Sequence, residues 1–291
     1  MTHQRLSAKL NNDGRIEAMA IQQASGDSIS DIMPEVMGRL MGFDMGAARG
    51  AWIYYAIPHR DVTVWRRRLP IPNGAWRGLG LVPNAFPIES FMDEMAHLAG
   101  KDPLRFRLEH LPQNEVGERL RGVLEVAADR AHWGRGLPRG HARGIACCFY
   151  DGTVVAEVAE ISLNRDSGKI RVHKMTVAMD CGRAVNPNQV MAQIEGCVVM
   201  GTSAALLEEI TVKDGAVTAG NFDSYPLLTL SEAPEVESIL LDAPDGRPRG
   251  VGEPPIGPIA PAIGNAFFAL TGLRLRQLPM TPERVKKAMK A

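Results

Sequence analysis

The chain opens on an alternation of apolar and polar positions. Ala8-Lys9-Leu10 and Ile16-Glu17-Ala18-Met19-Ala20 flank the polar run Asn11-Asn12-Asp13-Gly14-Arg15. An Asp-Gly turn between two runs of period two predicts a β-hairpin over residues 8 to 21. A hairpin this early implies that its sheet draws further strands from elsewhere, on this chain or another. From Asn84 the period lengthens. Ile88, Phe91, Met92, Met95 and Leu98 recur at three and four, and Gly100 stands where a helix stops, so this stripe reads as the buried face of a helix. Asp102-Pro103 supplies an N-cap followed by proline in the first turn, opening a second helix toward Leu111. Pro112 to Glu118 is polar and reads as a loop and internal boundary. Arg119 to Ala131 then predicts another helix, ending near Trp133-Gly134.

The second half begins as a meander. Val154 to Leu163 and Lys169 to Ala178 are strand-like on either side of the turn Asn164-Arg165-Asp166-Ser167-Gly168. Val190 to Leu207 predicts a helix rich in small residues. Glu208 to Val217 holds a short hairpin around Asp214-Gly215, Glu235 to Leu241 alternates as a strand, and Pro258 to Leu270 predicts a helix stopped by Gly272. Helices and hairpins mix without regular strand–helix alternation, so the expected class is α+β, mixed sheets with packed helices.

Composition narrows the function classes. A chain of 291 residues buries a substantial core, as one large or two intimate domains. Its formal net charge of zero argues against nucleic acid or an anionic membrane surface as partner. The dense basic run Arg66-Arg67-Arg68 sits between Trp65 and Leu69 and reads as a solvated strand edge or an inter-subunit contact. No window approaches a membrane span, and the opening Met1-Thr2-His3-Gln4-Arg5 has no apolar signal core. Cys147, Cys148, Cys181 and Cys197 form no C-x-x-C pair, which supports neither a zinc ribbon nor an iron–sulfur cluster housed here. Buried free thiols and a cytoplasmic location are the expectation, or the periplasm if an exported partner carries the chain there.

The sharpest candidate chemistry lies in Val251-Gly252-Glu253-Pro254-Pro255. Gly252 permits close backbone approach, and the proline after Glu253 disfavours helix and favours extended backbone. The outcome expected is a carboxylate on rigid, non-helical backbone just ahead of a helix, as a positioned general base requires. Alone, the pentapeptide better describes a solvated turn.

Three segments together change that balance. They are Gly74-Ala75-Trp76-Arg77-Gly78-Leu79-Gly80 with the helix after it, Asp180-Cys181-Gly182-Arg183-Ala184-Val185-Asn186-Pro187 running into Ala192-Gln193-Ile194-Glu195-Gly196, and the Glu253 segment. From about residue 10 to residue 285 the chain resembles the molybdopterin-binding subunits of molybdenum hydroxylases, in the xanthine dehydrogenase and aldehyde oxidase superfamily, and among these the isoquinoline 1-oxidoreductase beta type. The resemblance implies the C-terminal part of a molybdenum-cofactor-binding region: residues 1–115 as a first subdomain, incomplete at its N-terminal side, and 116–291 as a second carrying the catalytic glutamate.

It implies roles as well. Glu253 takes the proton from a metal-activated hydroxide that attacks an electron-poor carbon, and Arg77 is its electrostatic neighbour. Trp76, Gly78, Gln193, Gly196 and Gly252 contact the cofactor, and Leu79 lines the substrate pocket. The cofactor is molybdenum on a molybdopterin, in the cytosine dinucleotide form, with no metal ligand supplied directly by protein. Two electrons leave for iron–sulfur clusters on a small partner subunit. Leu79 stands where purine-oxidising relatives carry phenylalanine, so an N-heteroaromatic or an aldehyde is the expected substrate. Subunits of this family are more than twice as long, and their Gly-Gln-Gly and Gly-Gly-x-Phe-Gly loops are missing from this sequence. The chain is therefore expected to be one piece of a split subunit, with a second polypeptide carrying the other half of the molybdenum domain as its partner, or else a fragment of a longer subunit. The competing expectation is a non-catalytic remnant or scaffold with the same fold.

Overall fold

The computed structural model describes residues 1–30, 43–69, 71, 73–241, 243 and 246–290. A first sheet is built from β1 (Thr2–Leu10), β2 (Ile16–Ser25) and β3 (His59–Arg66), in that spatial order. β1 and β2 form the antiparallel hairpin, pairing Leu6 with Ile21, and β3 runs parallel to β2, pairing Val62 with Ile21. The hairpin's third strand thus comes from the same chain. The Asn11 side chain locks the turn by accepting the Asp13 and Arg15 N–H groups, and Gly14 takes the left-handed φ of +67°.

Four helices follow: α1 (Met45–Ala48), α2 (Leu81–Leu98), α3 (Pro103–Glu109) and α4 (Glu115–Arg130). Asp102 and Asn114 cap α3 and α4 through their side chains. Pro87 sits inside α2 and has no N–H for the carbonyl of Pro83. Gln4 of β1 donates its amide to that carbonyl at 2.9 Å, so the gap in the helix ladder becomes a tie to the first sheet.

The second sheet has the order β4 (His141–Tyr150), β5 (Thr153–Leu163), β6 (Ile170–Asp180) and β9 (Glu235–Leu240). β4, β5 and β6 are antiparallel neighbours, whereas β9 joins β6 in parallel. Between them run α5 (Pro187–Leu206) and a two-stranded hairpin, β7 (Val212–Lys213) and β8 (Ala216–Val217). α6 (Ile259–Thr271) and α7 (Pro282–Lys290) complete the described chain.

This sheet is buried on both faces. Val154, Ala156 and Val158 join one apolar core with Met92, Phe106 and Leu120. Val155 and Ala159 join the other with Ile194, Val198, Ile263 and Phe267. Alternate side chains of one strand thus serve two cores. α6 lies so close to β4 that a Cβ on Gly144 would stand 2.1 Å from the Ala266 nitrogen.

The α+β expectation holds, and several details are corrected. β3 and β4 add strands that the alternation did not predict. α4 begins at Glu115, ahead of the expected Arg119, because Asn114 caps it inside the polar run. Arg66 ends edge strand β3, yet it is not simply solvated: it forks onto Asp27, whose side chain is 1% exposed, through bonds of 2.6 Å from Nε and Nη2. Glu253 is not extended. At φ −122°, ψ −36° it stands outside both helix and strand and leads into a short 3₁₀ turn, Pro254–Ile256.

Candidate active site

Several elements converge on Glu253, and the segment carrying it is pinned along its length. Arg249 N–H donates to Cys181 O at 2.9 Å. The Thr153 hydroxyl donates to Gly250 O at 2.7 Å. The buried thiols of Cys197 and Cys148 lie on Gly252 O and Pro254 O at 3.4 and 3.3 Å. Burial pushes Cys197 up to about 12 and Cys148 well above its ordinary value, so both stay neutral donors at physiological pH. The Asp180–Gly182 bend is held in turn by Arg119 of α4. That guanidinium forks onto the Asp180 carboxylate at 2.7 and 3.0 Å and reaches Gly152 O at 2.8 Å.

The turn Trp76–Gly80 approaches from the other side. Gly78 has φ +86° and Leu79 φ +52°, two successive left-handed residues. For leucine that region is strained, and strain of this kind concentrates at functional sites. The strained turn aims the Gly78 N–H at Glu253 Oε1, 3.1 Å away. A Cβ on Gly80 would stand 2.4 Å from Ala47 O, so only glycine lets the turn lie against α1.

Arg77 connects the three sequence segments. Its Nε donates to Gly252 O at 2.5 Å, and its Nη2 donates to Gln193 Oε1 at 2.8 Å. No hydrogen bond engages its Nη1 or the Gln193 amide nitrogen among the described residues. Gly196 is exposed beside them, and even a Cβ there would stand 3.5 Å from Arg77 Nη1. A guanidinium edge and an amide nitrogen, both uncommitted on an open glycine floor, are donors suited to an anionic oxo centre and a heterocycle edge. The residues present therefore fit a molybdenum–pterin group. Trp76 joins the cluster through its carbonyl, which accepts Leu79 N–H at 2.8 Å, while the residue as a whole is 37% exposed.

Two residues that sequence reasoning missed complete the surroundings of Glu253. Tyr150, the last residue of β4, donates its hydroxyl to Glu253 Oε2 at 3.2 Å. Arg49 donates Nη1 to the Tyr150 oxygen at 2.6 Å and to Asp151 at 3.1 Å. Burial above all, joined by the Glu253 charge, pushes the Tyr150 phenol up, and Arg49 offsets only part of this, leaving it at about 12. It is a hydroxyl donor at any working pH. Neither residue lies in the three segments, and only the apolar run before Tyr150 marks a strand that could carry a site residue at its end.

A cavity of about 580 Å³ lies on the opposite face of the second sheet. Much of its charged lining is paired within itself, Arg143 with Glu160 and both Arg130 and Lys174 with Glu237. Among the described residues no group of three or more His, Cys, Asp and Glu could hold a metal ion.

Comparison with known proteins defines the class first. Two molybdopterin cofactor-binding domain models match, over residues 2–111 and 126–234. The fold recurs in the aldehyde oxidoreductase of Desulfovibrio gigas, with a TM-score of 0.80 and 16% identity over 100% of this chain and 49% of that one. It recurs in quinoline 2-oxidoreductase of Pseudomonas putida, with a TM-score of 0.79 and 11% identity over 99% and 62%. Among curated proteins the chain is 32% identical to the beta subunit of isoquinoline 1-oxidoreductase from Brevundimonas diminuta, across 95% of this chain and 35% of that protein. It is 34% identical to a nicotinate dehydrogenase subunit of Pseudomonas putida, across 81% and 21%. The chain belongs to the molybdopterin-binding subunits of the molybdenum hydroxylases. It spans about a third or less of the length of those two curated relatives.

Proposed function

We propose that this chain forms the molybdopterin-binding part of a molybdenum hydroxylase that hydroxylates an N-heteroaromatic compound or an aldehyde with oxygen from water. The observation that carries this is the clasp in which Arg77 ties Gln193 to Gly252 while the next residue, Gly78, donates to the Glu253 carboxylate. The relatives named for isoquinoline and nicotinate favour the N-heteroaromatic class. The molybdenum–pterin, when bound, supplies the two-electron chemistry and the water-derived oxygen.

The protein's own part follows from its geometry. Both Glu253 oxygens accept from donors that cannot accept in return, or are not free to: a backbone N–H, and a hydroxyl whose oxygen is already engaged by Arg49. The carboxyl group is thus held in one orientation, with lone pairs remaining to take a proton, the role of a general base. Arg77 Nη1 and the Gln193 amide nitrogen hold the anionic and heterocyclic parts of the cofactor, with Trp76, Gly78, Gly196 and Gly252 shaping the surface around them. Leu79, beside Glu253 on the strained turn, lines the substrate pocket.

Electrons pass to iron–sulfur clusters on a small partner subunit, and the pterin is the cytosine dinucleotide form. A second polypeptide supplies the other half of the molybdenum domain. We read residues 1–115 and 116–291 as two subdomains, a division supported by each sheet lying within one of them. Among the described residues no helix is long and apolar enough to cross a membrane. The four free, buried cysteines suit the reducing cytoplasm. A non-catalytic remnant would have no physical need for a strained leucine aiming an N–H at a carboxylate, so the catalytic reading is preferred.

Molybdenum and pterin per chain, measured in protein from a cofactor-assembling host, test this. The chain should carry near-stoichiometric cofactor when co-purified with its partners. No metal with or without them would leave the scaffold reading.

A further inference from the structure

We infer that Tyr150 and Arg49 form a directional hydrogen-bond relay that fixes the orientation of the Glu253 carboxyl group. The relay matters to catalysis only if Glu253 is the base, but its geometry stands apart from that reading. A guanidinium has donors and no acceptor, so Arg49 Nη1 at 2.6 Å fixes the Tyr150 oxygen as acceptor. The phenolic proton is then left for Glu253 Oε2, 3.2 Å away. Without Arg49 the hydroxyl could rotate. With it, the hydroxyl has one orientation.

Arg49 is itself built in. It caps α1, and its N–H donates to Gly46 O. Its carbonyl and that of Ala47 both accept the buried Asn84 amide of α2, at 2.8 and 2.9 Å. At the other end of α1, Asp44 accepts the N–H groups of Ser28, Ile29, Ser30 and Ala47. A helix of one turn, anchored at both ends, thus serves to deliver a guanidinium to the back of a tyrosine. Tyr150 is 5% exposed, and Arg49 also bonds Asp151 on the solvent side.

Other ionisable groups near Glu253 among the described residues are Arg77, on the Trp76–Gly80 turn, the neutral thiols of Cys197 on α5 and Cys148 on β4, and the buried Glu157 of β5. None of these is hydrogen-bonded to the Glu253 carboxyl group. Oε2 thus has Tyr150 as its donor, and Oε1 has the Gly78 N–H. Tyr150 and Arg49 are positioning residues: they act through Glu253 and need not touch substrate.

The test is the carbon-13 spectrum of the full chain labelled with [δ-13C]glutamate, the Glu253 resonance being assigned by its loss in Glu253→Gln. Tyr150→Phe removes the donor to Oε2 and should displace the Glu253 resonance by more than its linewidth. Arg49→Met should displace it in the same direction by less, and Arg49→Lys, which keeps a charged donor, should restore part of the difference. Superimposable Glu253 resonances in wild type and Tyr150→Phe, with coincident circular dichroism, would overturn the relay. If Tyr150→Phe fails to fold, superimposable resonances in wild type and Arg49→Met overturn it instead. Turnover by Glu253→Gln in the assembled enzyme decides the catalytic role separately. Retained turnover would remove the base and leave the spectral result standing.

Discussion

At the residue scale the chain places two glutamates very differently. Glu253 is half-buried and has two donors. Glu157 of β5 is completely buried, and neither of its oxygens has a hydrogen-bond partner among the described residues. It lies on the same sheet face as Val155 and Ala159, in the core beneath the Glu253 segment. Burial alone pushes its carboxyl well above the ordinary value, so it is folded in as the neutral acid. The sign of its linkage follows. Above the ordinary carboxylate range the unfolded chain releases this proton and the folded chain keeps it, so stability falls with rising pH up to the raised folded value, at about 1.4 kcal/mol per pH unit. Glu157→Gln should therefore melt higher than wild type at pH 8, with the gap closing toward pH 4, as calorimetry across that range would show. Parallel profiles would mean that Glu157 is ionised in the fold. Gln193→Ala should release Arg77 and weaken pterin retention about tenfold, read as pterin per chain after dialysis, while the melting temperature barely moves.

At the element scale the site depends on how closely backbone meets backbone. Gly144 of β4 lies against α6, where a Cβ would stand 2.1 and 2.3 Å from the Ala266 nitrogen and Ala262 oxygen. Neither backbone can yield without moving strand or helix. Gly144→Ala should thus cost about 3 kcal/mol, measured by denaturant unfolding, and should shift Tyr150 at the end of the same strand. A neutral result would show that the sheet can slide under α6. The capped and periodic elements were legible in the sequence: the first hairpin, α2 with its Gly100 stop, α3 behind Asp102-Pro103, and α6 ending at Gly272. β4 was not, because a strand buried on both faces carries a continuous apolar run, Ile145 to Tyr150, instead of an alternation. Of β3 only the Arg66 end was legible, as a strand edge, since the charges along it hide any alternation and Arg66 finds Asp27 only once the chain is folded. The expected extended backbone at Glu253 was a propensity overridden by context: the pins on Gly250, Gly252 and Pro254 impose another geometry.

At the scale of the whole molecule, the three resembling segments lie far apart in sequence, and Arg77 joins them. Their meeting was legible only through the family resemblance, because no local pattern pairs residue 77 with residues 193 and 253. Tyr150 and Arg49 were not legible at all, since hydrogen bonds between side chains distant in sequence leave no periodic trace. Large apolar side chains also remain at the surface: Trp52 and Phe222 each 71% exposed and Leu230 94%. A surface of this kind suits contact with further protein. The chain should co-purify as a single discrete species with polypeptides carrying the Gly-Gln-Gly and Gly-Gly-x-Phe-Gly loops. Light scattering that shows no association with them would contradict a divided cofactor site.

The central claim is that Glu253 is a base held ready beside a cofactor that other residues bind. Its most direct test is Glu253→Gln in the assembled enzyme, with metal and turnover measured on the same preparation. Molybdenum and pterin content should equal wild type, while kcat falls by about a thousandfold, as expected for losing a positioned base. Full turnover with full metal would show that the proton goes elsewhere, and the assignment of Glu253 would be wrong.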